Sequence, residues 1–237
     1  MASTSTLVAI ATFLAVGGAL ALAVNLVLPG LWYRFRLRQR KGWAVRNGFQ
    51  GCDPQALGLD ASAFQLFHTR SGKVISCLRR GRLRLVDYLY TQELGGRPAD
   101  RVDVRQAATG VLVDLGNDGR AVLVRPRLAR LPRFLIGKLM SRGSNMSLLL
   151  DTLVASIETG DSQFDAAFRV LGGDEASIRG FLTPELRQVM LANRRVSYEF
   201  QGREALVHGK LAFGQHLDRL IETGERIRAA LALRALD

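Results

Sequence analysis

Residues 7–28 form an unbroken apolar run with no charged side chain, and Asn25 is its only strongly polar one. At a rise of about 1.5 Å per residue the run would extend roughly 33 Å as a helix, enough to cross the hydrocarbon core of a bilayer. Hydrocarbon offers backbone N–H and C=O groups no partner, so a lone span must be helical. The run therefore predicts an N-terminal transmembrane helix. Gly17 and Gly18, with the alanines around them, are candidate helix–helix packing residues.

The flanks predict its orientation. No Lys or Arg precedes Leu7. After Leu28 come Trp32 and Tyr33, then Arg34, Arg36, Arg38, Arg40, Lys41 and Arg46, with no acid before Asp53. Aromatic rings favour the headgroup level, and short flanks rich in Lys and Arg stay on the cytoplasmic side. The expectation is a single-pass inner-membrane protein with its N-terminus outside and its C-terminal domain in the cytoplasm. A cleaved signal peptide is the competing reading, because Ala19-Leu20-Ala21 and Ala21-Leu22-Ala23 resemble small-residue cleavage sites. Against it, a charged n-region is missing and the apolar run continues past both sites. The expected organisation is an anchor over residues 1–33, a basic juxtamembrane connector over 34–62 and a cytosolic domain over 63–237.

A hydrophobic content of 48% allows that domain a core of its own. The net charge of +12 is concentrated in two blocks. One is the set of six cations from Arg34 to Arg46. The other is Arg120, Arg125, Arg127, Arg130, Arg133, Lys138 and Arg142, uninterrupted by an acid between Asp118 and Asp151. A basic chain invites a nucleic-acid reading. Here the cations alternate with Leu and Pro rather than with rings that could stack on bases, so nucleic acid is not expected. Beside a bilayer the same blocks are drawn to anionic headgroups, at about 1 kcal/mol per cation. The expected membrane-surface contacts are Trp32, Tyr33, Arg34, Arg36, Arg38, Arg40, Lys41, Arg127, Arg130, Arg133 and Lys138. Leu131, Phe134, Leu135, Lys138 and Leu139 fall at helical spacing. That segment either lies on the membrane or caps the sheet.

Between Trp43 and Phe67, glycines and Pro54 break any long element, and Phe64, Leu66 and Phe67 are candidate core residues. From residue 73 the pattern becomes that of strands: 74–78, 83–91, 108–115 and 121–124, separated by Arg79-Arg80-Gly81-Arg82, Gly95-Gly96-Arg97-Pro98 and Asn117-Asp118-Gly119. Strands succeeding strands without helices predict an antiparallel meander and argue against a doubly wound nucleotide-binding sheet. Phe164 to Leu171 reads as a further strand. Asp174 and Thr183-Pro184-Glu185 mark two helix starts, the second with Leu186, Val189 and Met190 inward. Residues 196–200 and 205–211 form a hairpin around Gln201-Gly202-Arg203. Residues 215–236 form one long helix with Leu217, Leu220, Ile221, Gly224, Ile227 and Leu231 inward. The fold class expected is α+β: a transmembrane helix, then a meander sheet with packed helices and a long C-terminal helix.

Phe164-x-x-x-Phe168-x-Val170, Asp174-Glu175, Arg179, Leu182-Thr183-Pro184 and Val196-x-Tyr198-x-Phe200 resemble a segment shared by a bacterial family of single-span, membrane-anchored proteins. The resemblance covers residues 158–237, and Asp87-Tyr88-Leu89-Tyr90-Thr91 resembles the sheet that precedes it in such proteins. It implies a small cytosolic α+β domain with no assigned activity and carries over no site residue.

Chemistry-bearing motifs are scarce. No glycine loop ends in Lys-Ser or Lys-Thr, and Gly-x-Ser-x-Gly is absent. His68, His208 and His216 have no metal-ligand spacing with a Cys or carboxylate, and Asp161, Asp165, Asp174 and Glu175 read as caps rather than a Ca²⁺ loop. Cys52 and Cys77 form no CxxC pair, and two unpaired thiols suit a reducing cytosol. No catalytic, metal or cofactor-binding residue is predicted. The expected role is a non-enzymatic interaction module near the inner leaflet, with other membrane proteins as partners. The alternatives are an accessory subunit of a larger membrane complex, respiratory or photosynthetic for example, and an enzyme whose site is built from scattered residues.

Overall fold

The computed structural model describes residues 38–58, 64–68, 72–94, 102–116, 120–127, 156–210 and 212–233. The chain divides into two compact units, residues 1–49 and 50–237.

In the first unit, residues 38–46 form helix α1. It ends where Gly48 takes a left-handed φ of 69°. The Gly48 N–H then donates to Val45 O at 3.2 Å, and the Phe49 N–H reaches back to Ala44 O at 2.9 Å. This crossed pair of bonds is a Schellman cap, completed by ring contact between Trp43 and Phe49 at 5.4 Å.

The second unit is built on a sheet of eight antiparallel strands: β1 (Gln50–Gly51), β2 (Lys73–Arg80), β3 (Leu83–Leu94), β4 (Val102–Asp114), β5 (Val122–Pro126), β6 (Phe168–Gly172), β7 (Ser197–Gln201) and β8 (Glu204–Lys210). Their spatial order is β1-β2-β3-β4-β8-β7-β5-β6. Four helices belong to this unit among the described residues: α2 (Ser162–Ala167), α3 (Glu175–Phe181), α4 (Pro184–Leu191) and α5 (Gln215–Leu233).

Both faces of the sheet are buried, by different means. On the first face α5 lies across β4 and β8. A methyl at Gly224 would come within 3.0 Å of Val111 and 3.1 Å of Val113, so glycine lets the helix sit directly on the strand. Further along the same face, Phe168 packs on Phe164 and Tyr198, with ring centroids 5.0 and 5.9 Å apart. Phe181 of α3 meets Phe200 edge-on at 5.0 Å. On the second face the covering element is chain with little regular structure. Phe64, Leu66 and Phe67 close over Val86, Tyr88, Ala108, Leu112 and Leu206. Tyr88 Oη donates to Phe67 O at 2.9 Å and holds that cover down.

The hairpin at residues 197–210, the helix after Thr183 and the inward stripe of α5 form as expected. Thr183 Oγ1 accepts from the Leu186 N–H at 3.3 Å and Pro184 takes the first helical position. Four expectations are corrected.

Among the described residues no helix is long and apolar enough to cross a membrane. The expected transmembrane helix is therefore not found among the described elements, and what stands is the α+β class. The longest described helix, α5, exposes Asp218, Arg219, Glu222, Glu225 and Arg226. The run 7–28, with Gly17 and Gly18, lies outside the described residues.

The sheet is not a simple meander. β5 does not pair with β4; the β7–β8 hairpin stands between them. Seven residue pairs join β4 to β8. Where the chain leaves β4, the Leu115 N–H donates to Arg203 O at 2.8 Å and Arg203 donates to Gly116 O at 3.0 Å. The exit thus runs beside the β7–β8 turn, and β5 pairs on the far side of β7.

Phe164 is helical, and the strand begins only at Phe168. Asp161 accepts from the Phe164 N–H at 3.0 Å, and Asp165 accepts from both Thr159 N–H and Oγ1. These local side-chain bonds offer the backbone a helix start where alternation alone reads as a strand.

Finally, Cys52 and Cys77 are joined as a disulfide with Cα atoms 5.2 Å apart. The β1–β2 pairing brings them together across a sequence separation of 25. The two cysteines are therefore not the unpaired thiols expected of a reducing compartment.

Candidate functional site

The β2–β3 hairpin turns at Gly81 and Arg82, with Gly81 at φ 55°. The register sets Arg79 opposite Arg84 on the second face of the sheet. At the same end, Asp114 is set opposite Glu204 where β4 finishes and β8 begins. With Cys52, Asp53 and Leu57 these residues line a groove of about 330 Å³. Arg84 is ion-paired to Glu204. Burial lowers the Arg84 guanidinium from its ordinary pKa, Asp114 opposes that shift and the charge of Arg79 adds to it. Arg79 Nε donates to Gly81 O at 3.2 Å, and Arg79 and Arg82 are both exposed at the groove. The disulfide forms part of the wall, with Cys52 half-buried and Cys77 6% exposed. Sequence reasoning read these arginines as a turn. The missed signal is the alternation along β2, which sends Arg80 to the opposite face, where it pairs with Glu225 of α5 at 2.5 Å.

A second polar cluster lies on the same face. Glu199 is 2% exposed, and its carboxylate accepts from the Gln65 N–H at 2.6 Å and is bonded to His208 Nε2 at 2.9 Å. Gln65 in turn accepts from Arg125 at 2.7 Å. His208 is thus not the isolated histidine its sequence neighbours indicate. A carboxylate-held imidazole is half of a nucleophile-activating arrangement. Ser197 stands directly across from His208 in the register, yet no hydrogen bond between them appears among the described residues. The couple is therefore a buried tether between the covering segment and the β7–β8 hairpin.

A third feature is the reach of the β3–β4 ribbon. Its register runs through twelve residue pairs, from Leu83↔Val113 to Leu94↔Val102. β2 accompanies it only as far as Leu89, and β8 only as far as Ala108. From Tyr90 and Gln106 onward the ribbon has no neighbouring strand on either side among the described residues.

Of the expected membrane-surface contacts, Trp32, Tyr33, Arg34, Arg36, Arg130, Arg133 and Lys138 lie outside the described residues, as does the segment 131–142. Arg38 and Lys41 are exposed on α1, whereas Arg40 is 3% exposed and offers no surface charge. Arg127 is exposed, and its Nε donates to Phe168 O at 2.8 Å, securing the start of β6. No group of three His, Cys, Asp or Glu that could hold a metal occurs among the described residues. No known family, curated protein or solved structure matches the chain.

Proposed function

We propose that this protein is a non-enzymatic interaction module that docks a partner protein on its β3–β4 ribbon by strand addition. The observation that carries the reading is the five terminal residue pairs, Tyr90↔Gln106 to Leu94↔Val102, that reach past both flanking strands. Each ribbon edge presents a row of N–H and C=O groups for which the described residues supply no strand partner. An isolated two-stranded ribbon is marginal in water, and an added strand completes it.

Residues 90–94 and 102–106 have no cationic excess in sequence, which disfavours nucleic acid as the partner.

Tyr90 and Gln106 are register partners, so residues 91–105 can be replaced by an Asn-Gly turn that recloses the hairpin. Gentle purification of the full chain from the cells that make it is expected to yield one partner at fixed stoichiometry. That partner should cross-link to a photoreactive residue at Thr91 and not at Arg219. It should be lost from the shortened variant, whose circular dichroism and melting point stay close to those of the parent. Retention of the partner by the shortened chain, or cross-linking at Arg219 alone, overturns the proposal.

A further inference from the structure

We propose that Cys52–Cys77 is an exchangeable disulfide, a thiol-accepting site at which a small thiol attacks Cys52 from the open groove. Two observations converge on it, independently of the ribbon.

The two sulfurs are unequally reachable. Cys77 lies in the middle of β2, 6% exposed, within the cluster of Val86, Tyr88 and Leu112. Cys52 is half-buried and lines the open groove. An incoming thiolate must approach the attacked sulfur opposite the breaking bond, and only Cys52 offers that approach from solvent.

The bond has a mechanical consequence. β1 is held to β2 by two residue pairs, Gln50↔Arg79 and Gly51↔Leu78, and by the Cys52 N–H donating to Cys77 O at 3.1 Å. Leu57 packs against the core beneath, and beyond it the covering segment is anchored by Phe64, 1% exposed, and Phe67, 7% exposed. Opening the disulfide therefore loosens residues 50–53, at one wall of the groove, and leaves the rest of the cover in place.

A thiolate attacks Cys52 Sγ and forms a new S–S bond. The Cys52–Cys77 bond breaks, and its electron pair leaves on Cys77 Sγ, which takes a proton from solvent. A second thiolate then attacks the small-molecule sulfur of the mixed disulfide and releases Cys52. The protein disulfide gains two electrons, and two thiols become one small disulfide.

The test treats the oxidised full chain with glutathione, using intact mass and peptide mapping. Glutathione is expected to add at Cys52. Hydrogen exchange should rise in residues 50–53 after reduction, while residues 64–67 and 83–90 stay protected. No adduct, addition at Cys77, or unchanged exchange in residues 50–53 overturns the proposal.

Discussion

Glu199 and His208, nine residues apart on adjacent strands, are joined by a 2.9 Å hydrogen bond beneath the segment that covers the sheet. The second carboxylate oxygen of Glu199 reaches the Gln65 N–H, 134 residues away in sequence. One buried carboxylate thus ties the covering segment to the last hairpin, linking distant parts of the chain through two bonds.

Replacing Glu199 by Ala leaves the Gln65 N–H without its acceptor and is expected to cost about 1–3 kcal/mol. Glu199→Gln keeps one acceptor oxygen and should cost less. Urea unfolding followed by far-UV circular dichroism separates the two. Equal stability of the Ala and Gln variants would show that the carboxylate is not the tether.

Two helical glycines should respond oppositely to alanine. At Gly180 of α3 an added methyl meets nothing within 4 Å, so Gly180→Ala should stabilise by roughly 0.5–1 kcal/mol through helix propensity. At Gly224 the same gain is opposed by contacts of 3.0 and 3.1 Å with Val111 and Val113. Those strand side chains are 1% and 0% exposed and cannot move aside. Overpacking typically costs 1–3 kcal/mol, so Gly224→Ala should be net destabilising by about 1 kcal/mol. Thermal melts of the two variants check the sign.

Stability should fall on the alkaline side. Tyr198 is fully buried, and its Oη donates towards Asn193 O at 2.8 Å, with Met190 O at 3.2 Å. Burial raises its pKa above the ordinary value of 10.0. Burial also raises Tyr90. The unfolded chain therefore loses these protons first as pH climbs. Their contribution is complete below pH ~10 and is lost above it, at about 1.4 kcal/mol per pH unit for a fully protected tyrosine. Tyr198→Phe should be less stable at pH 7 but show a shallower decline between pH 10 and 11.5 in urea titrations.

The disulfide closes a loop spanning a sequence separation of 25, worth about 3 kcal/mol through the unfolded state. Cys52→Ser should lose that much relative to the oxidised parent. It should match the parent within experimental error once reductant is present. A Cys52→Ser variant as stable as the oxidised chain would show that the link adds nothing.

Much of the second unit was legible from local pattern. Thr183-Pro184 starts α4 because a hydroxyl acceptor and a preset φ act within three residues. The stripe from Leu217 to Leu231 specifies a helix with one buried face, and that face is buried. Phe64, Leu66 and Phe67 were recognisable as core because rings in a broken, polar stretch have nowhere else to go. Failures arose where local signals competed, as at Phe164, where caps from Asp161 and Asp165 outweigh alternation.

Composition, periodicity and capping act over a few residues, so element type, the inward faces and the α+β class could be read directly from the chain. Strand order could not, because any strand with one apolar face can pair with several others. Seven pairs between β4 and β8 determine which neighbour β4 takes. The placing of Asp114 opposite Glu204 follows from that long-range register, and the bond from the Gln65 N–H to Glu199 from packing across 134 residues of sequence. No short stretch of sequence encodes such contacts, because they form only once the strands lie side by side.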